Sequence, residues 1–334
     1  MYIMQIDRGD SVKILFWGDT ARNNGPMNIN KGIIANLTEP FVTVKRCGKY
    51  RDFIDACWKL TCSDVLVVSG VSRIGYLLVK AAKLLQKPSV YIMHGCGKYE
   101  IELNRVTCPG KGLEWEAYLL EKADLLLPVS EKFMHWVHGR YPEYAEKTKF
   151  LYNGIDKSLF DSAVVGQKKS GSVAVSGGLT PLKNNMPVLK AVEALQGKAF
   201  LTIYGASADG HRTYARKVSK LPHDRFLQEL SGEQLFVLNS VFETFSIAVM
   251  EALACGCSIL VSEVAGITGL LALEETDLIH DPMDKEEIRR KMEYLLDHPN
   301  RERILSQFDA EEWTFDKMVQ RLEKHCKELM QKRK

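Results

Sequence analysis

The stretch 235–264, LFVLNSVFETFSIAVMEALACGCSILVSEV, constrains the fold of this chain more than any other. Its apolar run at 235–238 predicts a buried strand, and a polar loop follows. Apolar side chains then recur at helical spacing over 247–254, and Gly256 stands where the end of a helix favours a left-handed residue. A second apolar run, 257–261, predicts another buried strand. Because strand, loop, helix and strand form the repeating unit of an open parallel sheet, we expect an α/β fold.

Two glutamates in this stretch are candidate ligand-binding residues. In parallel α/β sheets, ligands bind beyond the carboxyl ends of the strands and face helix N-termini, whose N–H groups suit phosphate. Glu243 lies in the loop at that end, and Glu251 lies further along the predicted helix, about 12 Å away at ~1.5 Å per residue. Carboxylates so spaced cannot share one proton or one metal, but they can hold two ends of one long ligand. The alternative is a capping glutamate and a solvated helix glutamate.

The residues around these glutamates resemble the signature of the retaining nucleotide-sugar glycosyltransferases of family four, and in particular the bacterial polysaccharide enzymes of the group 1 type. The residues that match are Ser240, Glu243, Phe245, Glu251, Ala252, Ala254 and Gly256. The resemblance implies the GT-B fold, in which two Rossmann-like parallel-sheet domains face a cleft and a C-terminal helix crosses back to the first domain.

Length and resemblance together predict how the chain divides. A chain of 334 residues is longer than one hydrophobic core usually supports, and the polar segment 162–171 is the best candidate for a linker. We expect an acceptor-side domain over 1–161, a donor-binding domain over 162–312, and a C-terminal helix over 313–334 that packs on the first domain.

Composition argues against several classes of protein. The net charge of +3 is too small to indicate a nucleic-acid partner. The eight cysteines are scattered, without a CxxC pair or a secretory signal, so we expect reduced thiols and a cytoplasmic location. No apolar run reaches the ~18 residues that a membrane-spanning helix needs.

The first half of the chain alternates strands and helices. A polar, glycine-bearing loop that includes Gly25 separates a predicted strand at 12–17 from a predicted helix at 28–37. The loop contains neither GxGxxG nor GxxxxGK[ST], so it indicates neither a dinucleotide fingerprint nor an NTPase phosphate loop. His94 follows a predicted strand at 88–93, which places it in the ligand crevice. The resemblance implies that the Gly25 loop faces both substrates and that His94 contacts the donor sugar.

Four cations follow a predicted strand at 41–44, and we interpret their segment as a loop. A cluster of this kind is usually a solvated surface, but it also suits an anionic acceptor or lipid headgroups. These acceptor-side candidates are Lys45, Arg46, Lys49 and Arg51.

The glycine-rich loop 176–184 is expected to hold the donor diphosphate. The resembled family usually has a glycine, an arginine and a lysine here, and the two cations neutralise the phosphates. Lys183 matches the lysine and Gly177 lies in the loop, whereas Gly178 stands where the arginine is usual. One phosphate contact is therefore missing. Gly205 lies in the turn after the next predicted strand, which in the family is near the nucleotide base.

Two further expectations concern the segment before the glutamate stretch. Residues 225–227 are predicted to form a strand. Residues 228–234 are then all that connects this strand to the glutamate stretch, whereas the family usually has two short elements here. A shortened connection implies unusual recognition of the base.

The function that the resemblance implies is metal-independent transfer of a sugar, of the hexosyltransferase type, from a nucleoside diphosphate sugar to a glycan or lipid-linked acceptor, with retention. No Asp-x-Asp motif occurs, so a bridging metal is not required, and no cofactor is expected. The co-substrate favoured is a UDP-sugar, with a GDP-sugar as the other candidate. His94, Glu243 and Lys183 are the candidate catalytic residues. The candidate donor-binding residues are Gly25, Gly177, Lys183, Gly205, Glu243, Thr244, Phe245, Ser246 and Glu251.

Two other functions remain open at this point. A sugar-nucleotide epimerase with the same fold would consume donor without an acceptor. A non-catalytic nucleotide-sugar-binding scaffold of a glycan-assembly complex would accommodate the departure at Gly178 and the short connection at 228–234. Peripheral contact with the inner face of a membrane is a further candidate, suggested by the basic C-terminal residues.

Overall fold

A computed structural model describes residues 12–20, 25–37, 41–42, 49–107, 110–162 and 165–332. Contacts divide the chain into two compact units. Unit 1 comprises Met1–Gly97, Cys108–Gly154 and Trp313–Lys334, and unit 2 comprises Lys98–Thr107 and Ile155–Glu312. A short segment from the N-terminal half of the sequence therefore belongs to the second unit.

Unit 1 is built on a parallel sheet with strand order β2-β1-β3-β4-β5. Its strands are β1 (Ile14–Gly18), β2 (Phe41–Val42), β3 (Val65–Ser69), β4 (Ser89–Met93) and β5 (Leu125–Pro128). The apolar runs of β3 and β4 are buried along their whole length. Continuous burial is what a parallel sheet covered on both faces requires, since no strand side chain then meets water.

Helices of unit 1 connect these strands. They are α1 (Gly25–Asn36), α2 (Lys49–Thr61), α3 (Arg73–Leu84), α5 (Gly112–Lys122) and α6 (Glu131–Arg140). Helix α4 (Gly97–Asn104) lies between α3 and α5 in the chain. Serines cap two of the helices: Ser72 Oγ accepts from Gly75 N–H, and Ser130 Oγ accepts from Phe133 N–H. Such caps satisfy backbone donors that a helix start leaves unpaired.

The last helix, α13 (Phe315–Gln331), packs on α1 within unit 1. It buries Met318, Val319, Leu322 and Cys326, whose spacing places them on one helix face. The ring of Phe315 lies where a Cβ on Gly32 or Gly154 would be, 2.3 and 2.5 Å from those positions. Glycine at both positions is what lets the start of α13 approach the unit.

Unit 2 is built on a second sheet, with strand order β12-β11-β10-β6-β7-β9-β8. Its strands are β6 (Ser172–Val175), β7 (Phe200–Ala206), β8 (Gly210–Arg212), β9 (Ala215–Ser219), β10 (Leu235–Leu238), β11 (Ser258–Ser262) and β12 (Leu278–Ile279). The strand pairs are parallel except β8 with β9, which form an antiparallel edge. Neighbouring strands β6 and β10 therefore end at the same edge of the sheet.

Helices pack on both sides of the sheet of unit 2 and close its core. They are α7 (Ser158–Ser162), α8 (Asn185–Ala194), α9 (His223–Leu230), α10 (Ile247–Ala254), α11 (Lys285–Asp297) and α12 (Arg301–Ser306). The core includes Val188 and Val192 of α8 and Ile288 and Met292 of α11, all buried. No helix among the described residues has the length and apolarity to cross a bilayer.

The predicted α/β fold class is confirmed, because both units are Rossmann-like with mainly parallel sheets. Several local predictions are wrong. Residues 225–227 belong to α9, since Phe226 and Leu230 are four residues apart and lie on one helix face, with Phe226 against Tyr204. The connection at 228–234 is therefore not shortened, because a whole helix precedes β10. The segment predicted as a cationic loop contains the start of α2.

Candidate functional site

The strongest candidate site lies where β6 and β10 of unit 2 end. Because these neighbouring strands are parallel, the loops after their carboxyl ends meet at one edge of the sheet. Lys183 lies in the loop after β6, and Glu243 lies in the loop after β10. Lys183 Nζ lies 2.5 Å from Glu243 Oε2, and both side chains are partly exposed. The structure therefore brings these two predicted residues together as an ion pair that a ligand can reach.

Backbone hydrogen bonds hold both loops. Val241 N–H donates to the carbonyl of Leu182 at 3.1 Å, which joins the residue before Lys183 to the loop of Glu243. The carbonyl of Glu243 accepts from Gly266 N–H at 3.0 Å. The two charged side chains therefore project from a backbone that is fixed on both sides, which is the preorganisation that electrostatic binding needs.

Residues 244–246 form the turn that leads into α10. Thr244 and Phe245 are buried, and the Phe245 carbonyl accepts from Ile267 N–H at 2.9 Å. Ser246 occupies the N-cap with φ +91°, a left-handed conformation, which costs a non-glycine residue roughly 1–2 kcal/mol. Such strain clusters at functional sites. These three predicted residues therefore shape the turn beside Glu243.

Three glycines bring the loop after β6 against the end of β7, where Gly205 lies in the strand and not in the predicted turn. Gly177, Gly178 and Gly205 all have positive φ. A Cβ at Gly177 would lie 2.6 Å from Lys183 Cγ, and a Cβ at Gly178 would lie 2.8 Å from the Gly205 carbonyl oxygen. Gly178 N–H also donates to the Tyr204 carbonyl at 2.9 Å. Glycine stands in place of the family's arginine because the backbone leaves no room there for a side chain.

Glu251 already has a partner on the neighbouring helix. His223, the first residue of α9, places its Nε2 2.7 Å from Glu251 Oε1. The hydrogen bond to Glu251 raises the pKa of His223, and the charge of Asp224 adds to this. A ligand hydroxyl that binds Glu251 must therefore share the carboxylate with His223 or displace it.

This pair makes stability depend on pH. Because the folded-state pKa of His223 is raised above its unfolded value, the pair contributes fully below about pH 6.5 and its contribution is lost as the pH rises through the folded pKa. The His223 side chain is 46% exposed, so we expect only about 0.2–1 kcal/mol. Urea unfolding at pH 5.5 and 8.5 measures the free energy of unfolding of the wild type and of His223→Gln. The wild type should exceed the variant by a larger amount at pH 5.5. Equal differences at the two pH values would contradict the assignment.

His94 is held in unit 1 by a chain of hydrogen bonds. Ser69 Oγ donates to Asn30 Oδ1 at 2.6 Å, and Asn30 Nδ2 donates to the Asp19 carbonyl at 2.9 Å. Because the single hydroxyl proton of Ser69 is used in this way, its oxygen accepts from His94 Nε2 at 2.7 Å. Burial lowers the pKa of His94 to about 4. His94 is therefore a neutral imidazole with its proton on Nε2 and Nδ1 in the acceptor form.

The remaining predicted residues of unit 1 are not gathered into a site by the described structure. Gly25 is the first residue of α1, although a loop was predicted there. Lys45 and Arg46 lie outside the described residues, as does the side chain of Lys49. Arg51 is exposed in the first turn of α2. The roles of these residues stay predictions.

Three residues that contact predicted site residues or the residues next to them were missed by the sequence reasoning. They are His223 on α9 and Tyr99 and Asn104 on α4. No motif marks them, and α4 stands 78 residues before its partner Leu182 in the chain. The signal that was available is helical spacing: residues 223–230 repeat apolar side chains four apart, which favours a helix with His223 at its start.

Comparison with known proteins identifies the second unit. Residues 160–311 match the model of the family described as glycosyl transferases group 1. They cover slightly less than half of the chain and include Lys183, Glu243 and Glu251. A search of curated proteins found no match. Unit 2 is therefore similar to the glycosyl transferases of group 1.

Solved structures extend the similarity to the whole fold. Anabaena HepE in complex with UDP and glucose has a TM-score of 0.66 at 14% identity, covering 94% of this chain and 99% of that one. Sucrose-phosphate synthase from Thermosynechococcus elongatus has a TM-score of 0.65 at 14% identity, covering 96% and 100%. The pneumococcal O-GlcNAc transferase GtfA in complex with UDP and GlcNAc has a TM-score of 0.57 at 15% identity, covering 83% and 60%. The chain therefore has the fold of GT-B glycosyltransferases.

Proposed function

We propose that this chain is a retaining glycosyltransferase that moves a hexose from a UDP-sugar to a glycan or lipid-linked acceptor without a metal ion. The observation that carries the proposal is the Lys183–Glu243 pair at the carboxyl edge of the unit 2 sheet. A cation beside a carboxylate at such an edge suits a ligand that is anionic at one end and rich in hydroxyl groups at the other. The group 1 match over the same residues supports this.

Each side chain has a role in this proposal. Lys183 binds the diphosphate, together with N–H groups at the start of α10. Glu243 accepts hydrogen bonds from sugar hydroxyls, and Glu251 accepts from the ribose. When the diphosphate binds, it competes with Glu243 for the Lys183 ammonium, so the carboxylate becomes available to the sugar. The ion pair of the free protein is thus exchanged for two contacts to one ligand.

The proposed reaction uses these contacts. The acceptor hydroxyl oxygen bonds to the anomeric carbon on the face from which the diphosphate leaves, so configuration is retained. The bond between that carbon and the diphosphate oxygen breaks, and the acceptor proton passes to the departing diphosphate. Negative charge grows on the diphosphate during this step, so Lys183 stabilises the transition state more than the bound donor. No enzyme carboxylate acts as the nucleophile.

A uridine nucleotide is the donor that the comparisons favour. HepE has been solved in complexes with UDP and with UDP-glucose, and GtfA with UDP and GlcNAc. Nothing among them supports a GDP-sugar.

The predicted contacts of His94 and Gly25 with the donor sugar remain part of the proposal. The cytoplasm as the place of action is also part of the proposal, and it suits the thiols of Cys255, Cys257 and Cys326, which are not in disulfides.

A lipid-linked acceptor at a membrane surface is supported by α2. Tyr50, Ile54 and Trp58 are 80%, 67% and 71% exposed, and their spacing of four places them on one face of the helix, beside the exposed Arg51. Aromatic side chains next to cations suit an anionic lipid surface. We expect the protein to sediment with vesicles that contain phosphatidylglycerol and less so with pure phosphatidylcholine, and Trp58→Ser to weaken the association. If the wild type and Trp58→Ser stayed equally in the supernatant with the phosphatidylglycerol vesicles, the membrane contact would be refuted and the proposed sugar transfer would stand.

A thermal-shift screen with UDP, UDP-glucose, GDP and ADP, followed by a transfer assay, tests the function. Binding raises apparent stability by mass action, so we expect the uridine nucleotides to raise the melting temperature and UDP to be released when an acceptor is present. Donor isomerised without an acceptor would indicate the epimerase instead. Binding without turnover across acceptors would indicate the scaffold, for which the loop at Gly178 is the favouring observation. No shift with any nucleotide would refute all three.

A further inference from the structure

Helix α4 belongs to unit 2 by its contacts, although it lies between β4 and β5 of unit 1 in the chain. Lys98–Thr107 cluster with Ile155–Glu312. None of the residues of α4 is buried, so the helix does not contribute a core to the unit it contacts. Such a helix adds little apolar burial to the fold. Its side-chain contacts therefore serve mainly to position the segments that they touch.

One contact of α4 lies beside Lys183. The side-chain oxygen Oδ1 of Asn104 accepts from Leu182 N–H at 3.1 Å. The carbonyl of Leu182 accepts from Val241 N–H. Both polar backbone groups of Leu182 are therefore bound, one by α4 and one by the loop of Glu243, and this fixes the peptide from which Lys183 projects.

A second contact of α4 lies beside Glu243. The ring of Tyr99 meets the ring of Phe242 edge to face, with centroids 5.0 Å apart. Phe242 is buried and directly precedes Glu243. An aromatic pair of this geometry has a directional preference beyond apolar contact, so Tyr99 restricts where the loop of Glu243 can lie.

We propose that α4 positions the two halves of the donor site, with Asn104 setting the loop of Lys183 and Tyr99 setting the loop of Glu243. Both contacts fall one residue before a member of the ion pair, on the two loops that the pair joins. Tyr99 and Asn104 are positioning residues, because they act through Phe242 and Leu182. The proposal rests on the function proposed above, in which Lys183 binds the diphosphate and Glu243 binds the sugar.

Calorimetric titration of the full chain with UDP and with UDP-glucose tests the proposal through Tyr99→Leu and Asn104→Leu. Removing one such contact should weaken binding about three- to tenfold. Tyr99→Leu should weaken UDP-glucose and leave UDP nearly unchanged, because Glu243 meets only the sugar. Asn104→Leu should weaken both ligands, because Lys183 meets the diphosphate that they share.

Controls separate positioning from general damage. Tyr99→Phe keeps the ring and should bind as the wild type does, and Glu102→Gln, on the exposed face of α4, should also leave both affinities unchanged. If Tyr99→Leu lost both ligands in equal proportion, or if Tyr99→Phe failed to restore the affinity for UDP-glucose, a positioning role would be contradicted.

The wild type distinguishes the two proposals. If the unchanged chain binds both ligands and the two leucine variants bind them equally well, the role of α4 is refuted and the proposed function stands. If the unchanged chain binds neither UDP nor UDP-glucose, both are refuted. Should Tyr99→Leu fail to fold, Tyr99→Met tests the same ring contact with a flexible side chain, and the same loss of UDP-glucose affinity is expected.

Discussion

Glu243→Ala is expected to abolish sugar transfer while the protein stays folded. Removal of one preorganised contact to a transition state typically lowers kcat by about 10²–10³-fold. Glu243 pairs with Lys183 through a side chain that is partly exposed, so its loss leaves no fully buried charge and unit 2 should remain intact. Initial rates of UDP release with a donor and an acceptor, together with circular dichroism of the variant, measure both halves of this expectation.

The affinity for UDP separates this role from loss of structure. Without Glu243, the Lys183 ammonium has no carboxylate to compete with the diphosphate, so Glu243→Ala should bind UDP at least as tightly as the wild type. Lys183→Ala should bind it about 10–100-fold more weakly, as expected for a lost charged hydrogen bond. Glu293→Ala removes a carboxylate that is ion-paired to Lys198 at 2.9 Å on the surface of the same unit, and it should change neither rate nor affinity. Transfer that survives in Glu243→Ala would remove this residue from the mechanism.

Gly178→Arg, which introduces the arginine usual in the resembled family, is expected to destabilise unit 2 and not to strengthen nucleotide binding. The position has φ +66° and a Cβ there would lie 2.8 Å from the Gly205 carbonyl oxygen. Left-handed strain of ~1–2 kcal/mol and overpacking of ~1–3 kcal/mol together predict a loss of about 2–5 kcal/mol. Urea unfolding monitored by fluorescence gives the free energy, and titration with UDP gives the affinity.

Gly110→Arg is the matched control for this prediction. Gly110 also has positive φ, at +94°, but a Cβ there would meet nothing within 4 Å. The free energy of unfolding of Gly110→Arg should therefore fall only by the cost of the left-handed strain, about 1–2 kcal/mol. A Gly178→Arg protein that was as stable as the wild type and bound UDP more tightly would contradict the prediction. The loop would then accommodate the arginine that is usual in the resembled family.

The segments that sequence reasoning placed well are those whose signal is local. Residues 235–261 contain two apolar runs and a helical repeat between them, and the structure has β10, α10 and β11 there. Lys183 and Glu243 were each proposed separately, but their ion pair depends on the pairing of β6 with β10. Strand order is not written in one stretch of sequence, so a contact across 60 residues needed the structure.

The errors have physical causes of the same kind. Residues 225–227 are Arg, Phe and Leu, and two adjacent apolar residues are too few to distinguish a strand from one turn of helix. The strand that does precede α9 is β9, ARKVS, whose charged residues suit the sheet edge where β8 and β9 pair. The contacts of α4 were invisible because Tyr99 and Asn104 belong to unit 2 only through tertiary contact.

The observation that tests the donor site most directly is a crystal structure of the protein with UDP-glucose bound. We expect the diphosphate against Lys183 Nζ, the glucose hydroxyls against the Glu243 carboxylate, and the ribose against Glu251, with the contact between His223 and Glu251 lengthened or broken. Electron density for UDP-glucose away from the ends of β6 and β10, with the Lys183–Glu243 pair unchanged at 2.5 Å, would contradict it.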